Sequence, residues 1–254
     1  MSAPNHTDLL QQLVPIVRAA GERVMAVYAT DFDVLSKDDA SPVTAADQQA
    51  EDLITEALAR LTPGIPVVGE EAVSGGSQPA IGERFWLVDP LDGTKEFISR
   101  NGEFTVNIAL VEHGQPVLGV VLAPALGALY AGGVGLGAWL EQGGQRTPIA
   151  CRAVPPEGLS VVASRSHGDA AALDAFLAGR KVACNVSAGS SLKLCLVAAG
   201  EADVDRRGSE EGSGRDGPVD VADAVPARLD DPHPKVRECL GHERHWMLGY
   251  RGVN

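Results

Sequence analysis

Two amphipathic helices are predicted at the start of the chain. Apolar residues recur at three- and four-residue steps from Asp8 to about Tyr28, and again from Thr44 up to Pro63-Gly64. This spacing is typical of one face of an α-helix. Thr7 is the expected N-cap of the first helix, and Pro63-Gly64 is the expected stop of the second. Both helices precede any strand signal. We therefore expect their apolar faces to be buried against a sheet formed later in the chain.

Short β-rich runs follow these helices. They lie at 65–68, 85–88, 104–111, 117–122, 129–131 and 138–141. A turn from Glu112 to Pro116 predicts a hairpin between the third and fourth runs, and glycines between the last two predict another antiparallel pair. The first 150 residues therefore predict helices packed on a mostly antiparallel sheet.

One long uncharged segment resembles a membrane span in length alone. The 25 residues from Pro116 to Leu140 carry no charged side chain, and a stretch of this length can cross a bilayer. Its two prolines and six glycines would leave backbone groups unpaired in lipid. We therefore predict buried strands and turns here, and no transmembrane segment.

Strands and helices begin to alternate after Pro155-Pro156. The segments are a strand at 159–163, a helix near 169–177, a strand around Val182 and a helix at 190–199. This alternation predicts an α/β unit. We expect a boundary near residue 150, with an α+β domain over 1–150 and a smaller α/β domain over 151–254.

Composition and charge narrow the classes of function. Apolar residues make up 44% of the chain and charged residues 22%, which are values of an ordinary globular protein. The net charge of −13 argues against nucleic-acid binding, which needs clustered Lys and Arg. A small anionic substrate would need local positive charge, such as a metal ion. Four widely spaced cysteines and the lack of a secretory pattern fit a cytoplasmic protein.

Two acidic clusters stand where predicted strands end. Glu70-Glu71 follow one apolar run, and Asp89-Pro90-Leu91-Asp92 follow another. Mg²⁺ is held by carboxylates, backbone carbonyls, waters and phosphate oxygens. Asp89 and Asp92 are placed to bracket such a metal, with the Leu91 carbonyl between them. A plain turn is the alternative, because Asp, Pro and Gly are common turn formers.

Longer motifs surround these clusters. They are S-P-V-T-A-A-D (41–47), W-L-V-D-P-L-D-G-T-K-E-F (86–97), N-G-E-F-T-V-N-I-A-L (101–110), S-R-S-H (164–167) and G-S-S-L-K (189–193). Together with Glu70-Glu71 they resemble the inositol-monophosphatase superfamily, and most of all its bacterial 3′(2′),5′-bisphosphate nucleotidase branch, over about residues 8–204. The resemblance implies a layered α-β-α-β-α sandwich of the sugar-phosphatase type.

The resemblance also implies a metal-binding first domain that holds two or three Mg²⁺ ions. The residues that match the family's metal ligands are Glu70, Asp89, Asp92 and, through its carbonyl, Leu91. Thr94 would orient the attacking water, with its hydroxyl polarised by Asp47, and Glu70 would share in catalysis. Asp47 also has a structural interpretation, since Thr44-Ala-Ala-Asp47 has the form of a helix capping box.

Substrate is expected to contact backbone groups and a few side chains. If a helix begins at Gly93 and Thr94, their N–H groups would face the phosphate. The other candidates, by similarity to the family, are Glu70, Leu91, Asp92, Lys95, His167, Gly189, Ser190, Ser191 and Lys193. A helix N-cap explains the serines nearly as well, and a solvated surface cation is the simpler interpretation of each lysine.

The activity that the resemblance implies is Mg²⁺-dependent hydrolysis of the 3′-phosphate of adenosine 3′,5′-bisphosphate by metal-activated water. Such an enzyme would serve sulfur assimilation. An inositol-1-phosphate phosphatase is the alternative, because it would share every metal ligand named above. The sequence leaves open a homodimer and a peripheral association with the inner membrane.

The last fifty residues depart from the family pattern. After Glu201 to Val204 the family continues with W-D-x-A-A-G, whose Asp is another metal ligand, and this motif is missing from 205–254. That segment is atypical, polar and rich in glycine, as disordered loops are. Asp220 is the best substitute ligand, although a solvated loop carboxylate is the simpler interpretation. We therefore expect an incomplete second domain, and a catalytically impaired or inactive metal- or nucleotide-binding member is the third interpretation.

Overall fold

The computed structural model of the chain describes residues 5–30, 42–77, 79–163 and 177–206. Three predictions fall outside these ranges. They are nearly all of the helix near 169–177, the candidate substrate contact His167, and the segment from 207 onward with the candidate ligand Asp220.

The first helix, α1, spans His6–Tyr28, close to its predicted range. Its N-cap is Asn5, whose side-chain oxygen accepts the N–H of Asp8 at 2.9 Å. The prediction that Thr7 caps this helix is wrong, because Thr7 is already inside the first turn. Five residues of the predicted apolar face are buried, namely Leu10, Leu13, Val17, Ala20 and Val24. Val14 and Val27 are half-buried, and Leu9 and Gly21 are buried in addition.

The second helix, α2, spans Pro42–Leu61 and ends just before Pro63-Gly64, as predicted. It begins two residues earlier than expected, because Pro has a fixed φ and no N–H to leave unpaired at a helix start. Thr44 therefore lies within the first turn, and the capping-box interpretation of Asp47 is wrong.

In the described ranges, seven strands form the larger sheet. In spatial order they are β1 Val67–Gly69, β2 Arg84–Asp92, β3 Thr105–Glu112, β4 Gln115–Ala123, β5 Ala128–Gly133, β6 Gly137–Gln142 and β7 Gln145–Ile149. All neighbours are antiparallel except β1 and β2, which confirms the mostly antiparallel prediction. β7 was not predicted, since its residues are mostly exposed and show no apolar alternation.

The turn between β3 and β4 is the predicted hairpin. His113 and Gly114 take φ values of 50° and 71°, as two-residue hairpin loops require. The uncharged segment from Pro116 to Leu140 forms β4, β5 and much of β6. The prediction of buried strands is confirmed for β4 and β5, whereas the residues of β6 are half-buried or exposed. Of the helices within the described ranges, none is long and apolar enough to cross a membrane.

The larger sheet is covered on both faces. On β3, the alternate residues Val106, Ile108 and Leu110 belong to the core that includes α1 and α2. On the opposite face, the helix α5 (Leu192–Ala198) packs on β4 and β5 through Leu192 and Cys195. Because side chains alternate along a strand, Thr105 and Asn107 of β3 lie on the α5 side.

A smaller sheet lies beyond α5. Within the described residues it has three parallel strands, in the order β10 Val204–Arg206, β8 Leu159–Ala163 and β9 Val182–Ser187. Val162 of β8 packs against Val197 of α5. The described part is therefore layered as helices, sheet, helix and sheet, and it has the α/β character expected from the sequence. The division into domains near residue 150 stays a prediction.

Candidate active site

Parallel pairing of β1 and β2 brings the two acidic clusters together. Gly69 pairs with Val88, so the next residues along each strand, Glu70 and Asp89, are neighbours. The side chain of Asp89 lies close enough to Glu70 to lower the pKa of Glu70, against the larger and opposite effect of burial. The expected convergence of carboxylates at this end of the two strands is therefore present.

The D-P-L-D segment is an irregular part of a strand and not a free turn. β2 continues to Asp92, and its register with β3 shifts between Asp89 and Asp92. The Leu91 N–H donates to Oδ1 of Asp89 at 3.2 Å, while the Leu91 side chain is buried in the core. A bulge of this kind re-aims side chains near the end of a strand.

A short helix begins directly after Asp92, as the phosphate-binding hypothesis requires. The helix α4 spans Thr94–Ile98, and Gly93 is its N-cap with a left-handed φ of 93°. A residue other than glycine would be strained in this conformation. Thr94 and Lys95 are exposed at the start of α4. Their contacts to water and phosphate stay predictions.

Asp47 faces the acidic cluster from α2. Only 7% of its surface is exposed. Burial is the largest cause that raises the pKa of Asp47 to about 8, and the nearby carboxylates of Glu71, Glu70 and Glu51 contribute the rest. The structure thus brings Asp47 beside the Glu70 segment, as the predicted catalytic set requires.

The two central carboxyl groups are also hard to ionise. Burial raises the pKa of Glu70, and the carboxylates of Glu71 and Asp92 add to this effect. Burial likewise raises the pKa of Asp92, although the Ser191 N–H and the Lys193 ammonium oppose the shift. Crowded carboxylates of this kind must share protons or be neutralised by a cation.

The ligand types fit Mg²⁺, but the side chains do not form a preassembled cage. Within the described ranges, no three Asp, Glu, His or Cys side chains are grouped as a complete metal site. Asp92 accepts the Ser191 N–H on Oδ2 at 2.5 Å. Glu70 and Asp89 both offer the hard oxygen ligands that Mg²⁺ prefers, so these two residues would hold the ion.

The distant G-S-S-L-K segment packs against the D-P-L-D-G-T segment. A Cβ on Gly93 would lie only 3.1 Å from Cβ of Ser190, and Ser190 itself has a positive φ of 48°. The next residue, Ser191, donates its N–H to Asp92. Two motifs about a hundred residues apart therefore meet at one place, as the resemblance implies.

The side chains of this segment are largely engaged within the protein. Ser191 is 2% exposed, and its hydroxyl lies 2.8 Å from Oγ1 of Thr105 and donates to Oδ1 of Asn107 at 2.9 Å. Lys193 is 8% exposed and donates from Nζ to the Ser190 carbonyl at 2.7 Å. These contacts hold α5 against β3, and substrate contacts by these residues stay predictions.

Gly189 is held in the same way. Its N–H donates to Oε2 of Glu103 at 2.9 Å. A Cβ at this position would lie 2.3 Å from Cγ of Glu96, so the close approach requires glycine. The expected contact of Gly189 with substrate stays a prediction.

Sequence reasoning missed several polar residues around the cluster. Glu51 follows Asp47 by one helical turn and is buried among the apolar residues of α2, and Asn107 interrupts the apolar run of β3. A buried charge in an apolar helix face and a polar residue within a buried strand were the available signals. Their partners are distant in sequence, so the pattern alone could not identify them.

Comparison with known proteins shows a close family relationship. Residues 5–213 match the inositol monophosphatase family. The chain is 50% identical over 196 residues to the 3′(2′),5′-bisphosphate nucleotidase CysQ of Escherichia coli K12, which covers 76% of this chain and 78% of the relative.

Solved structures of similar proteins share the fold of this chain. CysQ from Bacteroides thetaiotaomicron, a bacterial member of the inositol monophosphatase family, has a TM-score of 0.66 and 36% identity over 78% of this chain and 79% of that chain. Mycobacterium tuberculosis SuhB has a TM-score of 0.62 and 29% identity over 78% of this chain and 76% of its own. The layered fold expected from the motifs is therefore confirmed.

Proposed function

The chain belongs to the inositol monophosphatase family, and from this premise we propose that it is a Mg²⁺-dependent 3′(2′),5′-bisphosphate nucleotidase. The substrate is adenosine 3′,5′-bisphosphate, from which the enzyme removes the 3′-phosphate. The name and 50% identity of the Escherichia coli relative support this choice over inositol 1-phosphate. A cytoplasmic role in sulfur assimilation is part of the same proposal.

The observation that carries the proposal is the convergence of Glu70 and Asp89, which the parallel register of β1 and β2 makes neighbours. Two half-buried carboxyl groups side by side, with the carboxylate of Asp92 close enough to raise the pKa of Glu70, offer the hard oxygen ligands that a dication prefers. The residues proposed to hold Mg²⁺ are Glu70, Asp89, Asp92 and, through its carbonyl, Leu91. When bound, Mg²⁺ supplies positive charge that acidifies water and stabilises charge on the phosphoryl oxygens.

The residues of the chain would then orient the reactants and move protons. Positive charge beside Asp47 favours its ionised form, which can accept a hydrogen bond from the Thr94 hydroxyl. That hydroxyl in turn orients the attacking water, and the N–H groups of Gly93 and Thr94 hold the phosphate. The water oxygen bonds to phosphorus, the bond from phosphorus to O3′ breaks, and a proton passes to O3′. The products are adenosine 5′-phosphate and inorganic phosphate.

A phosphate-release panel tests the substrate assignment. The purified protein is assayed with adenosine 3′,5′-bisphosphate, inositol 1-phosphate and fructose 1,6-bisphosphate, each with Mg²⁺. We expect the highest kcat/KM on the nucleotide. Equal or faster turnover of inositol 1-phosphate would show that the enzyme is an inositol phosphatase.

A catalytically impaired family member is the second candidate. The family match ends at residue 213, before Asp220, and the alignment with the Escherichia coli relative covers 78% of that protein. A metal ligand expected after this point in the family would then be missing or replaced. Loss of a ligand from a multi-metal site weakens metal binding and the stabilisation of transition-state charge.

Grafting distinguishes an impaired enzyme from a competent one. Residues 205–254 are replaced by a family-like terminus that carries W-D-x-A-A-G, and phosphate release and thermal melting are compared with the parent chain. If the parent chain is impaired, the grafted protein should release phosphate faster and melt at a higher temperature than the parent. Equal rates and equal melting temperatures would show that the native segment is sufficient.

A further inference from the structure

Glu51 is a buried carboxylate that has no part in the proposed reaction. It lies on α2, one turn after Asp47, and 3% of its surface is exposed. Its Oε2 accepts the N–H of Glu71 and its Oε1 accepts the N–H of Ala72, each at 2.8 Å. Both oxygens are therefore bonded to the backbone of the short helix α3, Glu70–Ser74.

Gly69 makes room for this carboxylate. Its φ of −103° and ψ of 150° are accessible to any L residue, so the backbone conformation does not require glycine. A Cβ at this position would, however, lie 2.3 Å from Cδ of Glu51 and 2.5 Å from each of its oxygens. The requirement for glycine at position 69 is therefore spatial, and the carboxylate of Glu51 imposes it.

These contacts determine where Glu70 lies. Gly69 ends β1 and caps α3, and Glu70 is the first residue of that helix. Glu70 thus lies between Gly69, which packs against the Glu51 carboxylate, and Glu71, which donates its N–H to it. Asp47 stands on the same helix as Glu51, so a single rigid element carries Asp47 and the carboxylate that fixes the backbone of Glu70.

We propose that Glu51 is a positioning residue that sets the place of the Glu70 carboxylate relative to Asp47, and thereby the affinity for Mg²⁺. The inference rests on the proposed function in taking Glu70 as a metal ligand. Partners that orient metal ligands typically change metal affinity by about 10–100-fold when they are removed. Glu51 belongs to this class of residue because its hydrogen bonds fix the backbone next to the metal ligand Glu70.

Two variants disturb the contact from opposite sides. Glu51→Gln keeps the size of the side chain, but it offers one oxygen acceptor and turns an NH₂ donor toward the second backbone N–H. Gly69→Ala keeps Glu51 and places a methyl group where its carboxylate lies. We expect each variant to weaken Mg²⁺ binding roughly tenfold, as measured by isothermal titration calorimetry.

Hydrogen–deuterium exchange gives a readout that does not depend on metal or activity. The amide protons of Glu71 and Ala72 are the two that Glu51 protects. We expect their exchange to become faster in Glu51→Gln and Gly69→Ala under conditions in which the variants stay folded. Unchanged exchange of both amides would overturn the assignment of the contact.

Matched controls separate positioning from general stability. Gly82→Ala adds the same methyl group where nothing lies within 4 Å. Asp203→Asn alters another buried carboxylate, which accepts the Ser160 N–H at 2.7 Å and pairs with Arg152. Asp203→Asn is expected to lower the melting temperature and to leave the Kd for Mg²⁺ unchanged, and Gly82→Ala is expected to change neither.

The outcomes distinguish the inference from the proposed function. A wild-type Kd for Mg²⁺ in folded Glu51→Gln or Gly69→Ala overturns the positioning role. If Glu51→Gln fails to fold, Gly69→Ala alone decides the question. A parent chain that binds Mg²⁺ but fails to hydrolyse the bisphosphate refutes the nucleotidase assignment, while the variants still test Glu51. A parent chain that binds no Mg²⁺ overturns both.

Discussion

At the scale of single residues, the unusual feature of the site is that Asp47, Glu70 and Asp92 all have raised pKa values. Burial and neighbouring carboxylates raise the pKa of Asp47 from 3.8 to about 8. The native protein therefore holds a proton that the unfolded chain releases. This stabilisation is complete below the unfolded pKa and is lost as the pH rises through the folded pKa.

A prediction about pH follows from Asp47. Without metal, the melting temperature should fall between about pH 4 and about pH 8, because the unfolded chain binds fewer protons than the native protein over this range. The melting temperature of Asp47→Asn should fall less steeply with pH. Part of the fall should remain, because the pKa values of Glu51, Glu70 and Asp92 are also raised. Thermal melts in EDTA measure this directly. A slope in Asp47→Asn as steep as in the parent would contradict the raised pKa.

Substitutions of Asp89 and of Thr94 should impair different steps of the reaction. Asp89→Asn should abolish activity at low Mg²⁺ with the fold intact, because an amide holds a hard dication less well than a carboxylate. Thr94→Ala should lower kcat by about 100-fold or more with little change in Mg²⁺ affinity. Rates measured across a Mg²⁺ titration separate the two. Near-normal turnover of Asp89→Asn at low Mg²⁺ would reduce Asp89 to a structural residue.

The sequence predicted the candidate carboxylates but not how they are held. Asp89 and Glu70 were recognisable because each follows an apolar run within a long motif. Their placement side by side depends on the parallel register of β1 and β2, which local patterns do not encode. Glu51 was missed for a similar reason, since its partners are backbone N–H groups about twenty residues away.

At the scale of elements, the contact between α5 and β3 is a buried polar network in an otherwise apolar layer. Ser191 bonds to Thr105 and Asn107 through its hydroxyl and to Asp92 through its N–H. The alternation of β3 places both polar side chains on the face that α5 covers. The network therefore joins the start of α5 to the acidic end of β2.

Ser191→Ala tests how much this network contributes to the free energy of unfolding. The change leaves buried polar atoms of Thr105 and Asn107 without their hydroxyl partner, which costs about 1–3 kcal/mol in the free energy of unfolding. Chemical denaturation followed by circular dichroism measures the loss. Ser99→Ala is the control, because Ser99 is exposed and should change stability by less than about 0.5 kcal/mol. Equal stabilities of the two variants would show that the network contributes nothing.

Elements with a strong repeat were predictable, and those defined by pairing were not. α1 and α2 follow from a three- and four-residue repeat whose predicted face is the one the structure buries. β7 escaped prediction, because its exposed residues take their structure from hydrogen bonds to β6. Both helix starts were misplaced by two residues, since the N-cap Asn5 and the first-turn residue Pro42 precede the apolar repeat of their helices.

At the scale of the whole molecule, the chain places an acidic site at the ends of β1 and β2 within an acidic protein. A net charge of −13 repels a phosphate substrate at long range, so binding depends on neutralisation within the site. The layers were predictable from the motifs, because the resemblance covers elements from α1 to β10. The segment from 207 onward lies outside the described residues, and the expectation of an impaired enzyme stays a prediction.

The most direct test of the account is to identify the products formed from adenosine 3′,5′-bisphosphate. Chromatography with ³¹P NMR, in the presence of Mg²⁺, should show equimolar adenosine 5′-phosphate and inorganic phosphate. The same reaction with EDTA, or with Asp89→Asn at low Mg²⁺, should leave the substrate intact. Formation of adenosine 3′-phosphate, or turnover that EDTA does not affect, would contradict the assignment of a Mg²⁺-dependent 3′-nucleotidase.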